Sequence, residues 1–472
     1  MSETIDTDVC IIGAGAAGLS VAAGAALLGA RTVLIEKGEM GGDCLNYGCV
    51  PSKALLAAAH RAQAMRSASK YGIAAVEPAI DFARVHAHVR GVIDEIAPVD
   101  SAERFAGLGA TVLRGTARFI ARDKVAVNGT TLRAKRFVLA VGGKAAVPPI
   151  PGLAETPFYT NETIFTLSAK PERLLIIGGG PIGVEMAQAH AALGSDVTIV
   201  TAGSILGRDD PEMVDLLRRR LRRDGITIVE NAAVERVHAA ALHARIGETV
   251  EVLPFTHLLV AAGRRANVEA LAPQLAGVET DKGGILVDRR LRTTNSKIFA
   301  LGDCVSGGPQ FTHAAGYQAG IVIRNVLFRL PAKVDYGALP RVTYTAPELA
   351  SVGMSEAEAR AKHGADIRIL RWAYAENDRA RAERELHGHV KAIVTPKGVI
   401  LGATVLGASA GELIQPWVLA MSAKLKIGAL ANMIAPYPTL GEVTKRAAGS
   451  FYTPQLFSAR TKKLVRFLLR WA

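Results

Sequence analysis

The sequence predicts an α/β protein of several domains, in which one βαβ unit occurs twice and an α+β domain follows. Three observations carry this. At 472 residues the chain is too long for one hydrophobic core, and a composition 49% apolar lets each of about three domains bury its own. Two segments share one grammar of short β run, glycine-rich turn, helix and second β run. Beyond Arg341, strand-like runs such as Val390–Val394 and Val399–Val405 precede Ala-rich helical segments.

The first unit runs through the apolar Val9–Ile12, turns at Gly13, Gly15 and Gly18, continues as an Ala/Leu-rich helix and ends a second β run at Glu36. The second runs from Arg173 to Ile177, turns at Gly178, Gly180 and Gly183, forms a helix to Leu193 and ends its β run at Thr201. In such loops the first glycine makes a tight turn, the second admits a pyrophosphate to the backbone, and the third lets helix pack on strand. The pyrophosphate rests on the helix N-terminus, where free N–H groups favour anions. One such spacing is a weak signal. Two copies, each set between strand and helix, predict two Rossmann-like dinucleotide-binding units, with Pro148, Pro149, Pro151 and Gly152 marking the break between them.

Cofactor choice is read where each second strand ends. Glu36 is placed to accept hydrogen bonds from an adenosine ribose. Thr201 offers no carboxylate and Arg208 follows it, which favours NADPH over NADH.

Lys and Arg exceed Asp and Glu by 13, a surplus that suits anionic ligands. No aromatic-rich basic patch or helix-turn-helix pattern points to nucleic acid. The first apolar run is strand-length, no basic leader precedes it, and no apolar run reaches membrane-spanning length, so a cytoplasmic location is expected.

Four cysteines in so long a chain are no structural framework, but Cys44 and Cys49 stand close together. Residues five apart in a regular helix have Cα atoms roughly 8–9 Å apart, and a disulfide needs them within about 7 Å. A bonded pair therefore requires a distorted segment, and Gly48 with Gly41 and Gly42 supplies the freedom. No further Cys or His stands at zinc-ligand spacing, so no resident metal is expected. The pair points to redox chemistry. Cys10, inside the first strand, and Cys304, after Asp303, read as small core residues.

With these segments in hand, the chain resembles the flavoprotein disulfide reductases that include dihydrolipoamide dehydrogenase, glutathione reductase and mercuric reductase. The resemblance runs over nearly the whole length. It includes Ala140 to Gly143, then Ala262, Gly263, Arg264 and Asn267, then Thr294 with Ile298–Asp303, and lastly Thr345–Glu348 with Val352 and Gly353. It implies an FAD domain at 1–150, an NAD(P) domain at 151–275, a return to the first domain at 276–340 and a dimerisation domain at 341–472. It also implies FAD as prosthetic group, NADPH or NADH as electron donor, and a homodimer. At matching positions Cys44 is the interchange thiol and Cys49 the thiolate beside the flavin. Lys53 reaches the flavin ring, paired with Glu185. Gly42 and Gly142 join the flavin cradle, Asp303 binds the ribityl chain, and the segment Gln310–Ala314, with His313, approaches the pyrimidine side.

Two departures bear on the substrate. Members that exchange thiols and disulfides end in His-Pro-Thr-x-x-Glu, supplied from the partner subunit. Here the segment is Tyr437-Pro438-Thr439-Leu440-Gly441-Glu442. A phenol with a pKa of about 10 is a poor base at neutral pH, although it can donate a hydrogen bond. Mercuric reductases also carry Pro-Tyr here, but their terminal cysteine pair is missing and Pro181 replaces a usual tyrosine. The substrate is therefore a small or protein disulfide, a thiol-reactive oxidant or a soft metal ion. The alternatives are a dihydrolipoamide dehydrogenase with an altered base and a redox sensor that does not turn over.

The second departure is the tail. Residues 460–472 carry Arg460, Lys462, Lys463, Arg466 and Arg470 among apolar side chains, with no acid. Such a helix packs on the dimer or its own domain, or makes a weak contact with an anionic membrane surface.

Overall fold

The computed structural model describes residues 4–471. Residues 1–3 and 472, at the ends of the first and last predicted domains, lie outside them. Continuous apolar runs form the centre of the first sheet because parallel strands covered on both faces have no solvent side. Val9, Cys10, Ile11 and Ile12 are all buried. Thr4–Ile12 lies between Thr32–Glu36 and Thr130–Leu139, parallel to both, and Ala110–Arg114 flanks Thr32–Glu36. The antiparallel pair Arg118–Ala121 and Lys124–Val127 extends the other edge. After a long excursion the chain returns, and Ile298–Ala300 joins this sheet parallel to Thr130–Leu139.

The excursion contains the second βαβ unit. Its four parallel strands run in the order Thr227–Val229, Asp196–Val200, Arg173–Ile177, His257–Val260. Gly143–Ala145 and Arg264–Ala266 pair antiparallel where the chain enters and leaves it. The last sheet is antiparallel throughout, in the order Pro340–Thr343, Glu348–Gly353, Ile400–Gly407, His389–Val394, Arg368–Ala373. Ile400–Gly407 is buried along its whole length, with Trp417 and the helix Glu442–Gly449 packed in the same core.

An ion cluster joins the nucleotide unit to the last sheet. Lys391, 4% exposed, places Nζ 2.7 Å from Asp210, 3.0 Å from Glu212 and 2.8 Å from Glu356. Asp210 also caps the helix Pro211–Arg223 by accepting from the N–H groups of Glu212 and Met213. Removing the cation leaves the buried Asp210 carboxylate facing those of the half-buried Glu212 and Glu356. Lys391→Met is expected to destabilise the protein by about 3 kcal/mol, read as a lower guanidinium midpoint at unchanged slope. A loss below about 1 kcal/mol would mean that solvent screens the cluster as it does a surface pair.

Candidate active site

Cys44 lies in the short helix Gly42–Asn46, and Cys49 opens the long helix Cys49–Arg66. The break falls at Tyr47 and Gly48, so the segment between the cysteines is the distorted one that a disulfide requires. Gly41 and Gly42 enter it at φ 84° and 59°, values open to glycine at no steric cost. Both sulfurs are free thiols in this structure.

The two thiols are not equivalent. Cys49 sits at a helix N-terminus, where the dipole favours an anion. Its Sγ lies 3.2 Å from the Thr312 hydroxyl. A hydrogen bond from Cys44, then that from Thr312 and the Lys53 charge, lower its pKa to about 6 despite burial. The same shared hydrogen bond, with burial, pushes the Cys44 thiol up. Alkylation of Cys49 by iodoacetamide is therefore expected to rise with pH around a midpoint near 6, and Thr312→Val to move that midpoint upward. A native midpoint near the ordinary thiol value of about 8.5 would contradict this account.

Behind the thiols, Lys53 Nζ is 2.7 Å from Glu185 Oε2 and 4.2 Å from the centre of the Tyr344 ring. The Tyr344 backbone N–H donates to the other carboxylate oxygen at 2.9 Å. Three parts of the chain thus meet at one ion pair, buried on its carboxylate side and partly open at Lys53.

The first glycine loop has the shape of a dinucleotide cradle. A Cβ on Gly13 would lie 2.3 Å from the Ala140 carbonyl oxygen, and one on Gly18 1.8 Å from that of Gly13. A Cβ on Gly42 would meet Gly15 Cα at 2.7 Å. Gly13, Gly15, Gly42 and Ala140 line a cavity of about 310 Å³ with Glu36, Asp43, Gly142, Lys144 and Asn267. The Glu36 carboxylate accepts from the Ala14 N–H at 2.5 Å and the Gly38 N–H at 2.7 Å. Asp303 lies beside the cradle, its carboxyl pKa raised by burial against the pull of Arg264, whose Nε is 3.1 Å away. The absent side chains, the placed carboxylates and the cavity suit a dinucleotide such as FAD. In the 310–314 segment, Gln310 is exposed and Ala314 buried, while His313 Nε2 donates to the Pro340 carbonyl at 2.9 Å. Thr312 opens the helix Thr312–Val326.

The second loop repeats the geometry. A Cβ on Gly178 would lie 2.3 Å from the Ala261 carbonyl oxygen, and one on Gly183 2.0 Å from that of Gly178. Gly180 precedes the helix Pro181–Ala192, and Gly263 takes φ 128° on the return strand. Thr201 and Ile205 close over Gly179. Arg208 is exposed, and its own carbonyl accepts from Arg341 at 3.1 Å. An acid does stand nearby: Glu230, beyond the neighbouring strand, accepts from the Ile205 N–H at 2.8 Å and pairs with Arg218 at 2.9 Å.

Tyr437 and Glu442 stand apart from the cysteines' hydrogen bonds. Tyr437 is 70% exposed and its hydroxyl donates to Asp378 Oδ2 at 3.1 Å. That bond raises the phenol's pKa above its ordinary value, making it a still weaker base. Glu442 opens the helix Glu442–Gly449, with Arg446 3.9 Å away. Cys10 and Cys304 are buried, and burial raises each thiol to about 12.

Sequence reasoning missed Thr312, Tyr344, Arg264 and Glu230 as site residues. Arg264 lay in a quoted motif, and it bridges Asp43 at 3.2 Å and Asp303. Tyr344 directly precedes another such motif. Thr312 lay inside the segment Gln310–Ala314, but its reach to Cys49, 263 positions away, left no signal, and neither did Glu230, which lies across a strand boundary.

The pyridine nucleotide-disulphide oxidoreductase family pattern matches residues 7–319, and that family's dimerisation domain matches residues 339–448. A mercuric reductase of Bacillus cereus is 34% identical over 453 residues, covering 94% of this chain and 72% of that protein. A dihydrolipoyl dehydrogenase of Geobacillus stearothermophilus is 34% identical over 455 residues, covering 94% and 96%. Among solved structures, the HOCl-induced flavoprotein disulfide reductase RclA from Escherichia coli, as its Cu(II) complex, superposes with a TM-score of 0.84 at 31% identity, over 94% of this chain and 99% of that one. Two nucleotide cradles facing a cysteine pair, matched in order along the chain, have one explanation: the protein belongs to the pyridine nucleotide-disulphide oxidoreductase family and is an FAD-dependent oxidoreductase of that class.

Proposed function

We propose that this enzyme oxidises NAD(P)H to open the Cys44–Cys49 disulfide, and that the thiol pair then reduces a thiophilic acceptor, a disulfide or a soft metal ion. FAD, held by Gly13, Gly15, Gly18, Glu36, Gly42, Gly142, Asp303 and the 310–314 segment, supplies the two-electron link between nicotinamide and disulfide. Residues 1–150 and 276–340 carry that site, 151–275 the nicotinamide nucleotide and 341–472 the dimer contact.

Cys44 passes its proton to the Cys49 thiolate across their shared hydrogen bond and attacks as a thiolate. Its sulfur bonds to one sulfur of the acceptor disulfide, whose S–S bond breaks, and the leaving thiolate takes that proton from Cys49. Cys49, kept ionised by its helix terminus, Thr312 and Lys53, then displaces the second half and closes the Cys44–Cys49 bond. The balance is NAD(P)H, one proton and a disulfide giving NAD(P)⁺ and two thiols. With Cu(II), one NAD(P)H reduces two ions and releases one proton. The Cu(II) complex of the RclA neighbour supports the metal arm. NADPH is favoured because Thr201 brings no carboxylate, Glu230 is tied to Arg218, and Arg208 stands exposed at the loop.

The observation that carries the direction is Tyr437. Oxidising a dithiol needs a base to take its protons, and this phenol is bound to Asp378 with its pKa raised. Reducing an acceptor needs only a donor. In the homodimer Tyr437 and Glu442 complete the partner's site, where the phenol, on leaving Asp378, supplies that hydrogen bond. A second, finer contact is a weak one between the basic last helix and an anionic membrane surface.

The test is the rate of NAD⁺ reduction by dihydrolipoamide at neutral pH, beside NAD(P)H consumption with oxidised glutathione and with Cu(II). Slow dithiol oxidation that rises at least about tenfold in Tyr437→His is expected. Fast oxidation by the native enzyme would make it a lipoamide dehydrogenase with another base. Single reduction without steady-state consumption of NAD(P)H by any acceptor would make it a sensor.

A further inference from the structure

No residue of the helix Ala459–Leu468 is buried, although Arg460, Thr461 and Leu464 line a groove with Phe451 and residues 368–371 of the last domain. The Ser458 hydroxyl caps it by accepting from the Thr461 N–H at 3.2 Å. At 100° per residue, Leu464, Phe467 and Leu468 gather on one side, where Arg460 also falls, while Lys462, Lys463 and Arg466 lie on the other beside Leu469, and Arg470 and Trp471 follow the helix end. The apolar side chains stand 55–80% exposed, and the Phe467 and Trp471 rings lie 6.3 Å apart on the same side. No acidic residue occurs after Glu442. The family's dimerisation domain matches only as far as residue 448, short of this helix.

From these observations we infer that the helix lies on an anionic phospholipid surface, its apolar side in the headgroup–acyl boundary and its basic side toward lipid phosphates. An apolar side set against a predominantly basic one is what such a boundary solvates on both faces. A second copy of the helix would suit the apolar side but would bring two acid-free basic segments together. Spanning the bilayer is ruled out for this segment by its length, and no described helix is long and apolar enough to do so. The inference rests on the surface contact named above and is independent of the electron acceptor.

The experiment is sedimentation of the flavin-loaded enzyme with vesicles of phosphatidylcholine alone or mixed with phosphatidylglycerol. It compares the full chain, a chain ending at Ala459, and the charge-reversed K463E/R466E/R470E. The full chain is expected to bind the mixed vesicles at least about tenfold better than the neutral ones. Both altered chains should lose that gain, and inorganic phosphate at the same phosphate concentration should not compete. Trp471 emission should shift to the blue on mixed vesicles and the shift should vanish in W471F. NAD(P)H oxidation should be equal in all these chains, so a failed redox assignment would show as activity absent from every one. Equal partitioning of full and shortened chains overturns the inference. So does absence of binding together with a smaller oligomer on shortening, which would assign the helix to a second copy.

Discussion

Replacing either Cys44 or Cys49 with serine is expected to lower NAD(P)H-driven reduction of any acceptor by about 10³-fold or more. A hydroxyl can neither form the internal bond nor ionise near neutrality. The two variants should differ in a way that assigns their roles. Cys49→Ser leaves an attacking thiol with no neighbour to resolve its product, so it should accumulate a mixed disulfide on Cys44, visible by mass spectrometry. Cys44→Ala, which unlike serine removes the hydrogen-bond donor to Cys49, should raise the Cys49 alkylation midpoint above its native value near 6. All three proteins should keep their flavin, because the cradle glycines and Glu36 are unchanged. A serine variant with more than about a tenth of native turnover would end the assignment of that cysteine.

Lys53→Met should be the most damaging change outside the cysteines. The Glu185 side chain is 6% exposed and would be left as a buried carboxylate holding only the Tyr344 N–H. Loss of a fully buried partner costs about 3–5 kcal/mol. Lys53 is itself 37% exposed, so water screens part of the pair and about 2 kcal/mol is the expected loss. Turnover should fall at least about tenfold, since the charge beside Cys49 is also removed. The double variant Lys53→Met, Glu185→Leu separates the effects. It should recover most of the stability, because no unpaired charge remains, while turnover stays low. If it melts no higher than Lys53→Met, the stranded carboxylate is not the cause of the loss.

The sequence by itself determined what depends on short-range pattern. Two glycine loops, each between an apolar run and a helix, were enough to place both nucleotide cradles, since pyrophosphate binding needs residues that are neighbours in the chain. The cysteine spacing determined that the segment must break, and it breaks at Tyr47 and Gly48. The substitution of Tyr437 for a base was likewise legible, because ionisation begins with residue type.

Only the tertiary structure decided which groups stand beside those residues. Thr312 reaches Cys49 across 263 positions, and Glu185 receives Lys53 across 132 and the Tyr344 N–H across 159. Asp378 holds Tyr437 across 59. None of these pairs follows from a local period, because the partners lie on elements far apart in sequence that meet only in the folded chain. The same holds for the tail: its sequence predicts an amphipathic helix, while the fold decided that the apolar side would be left more than half exposed. Residue type sets what a side chain can do, and packing sets which charges, dipoles and surfaces it meets.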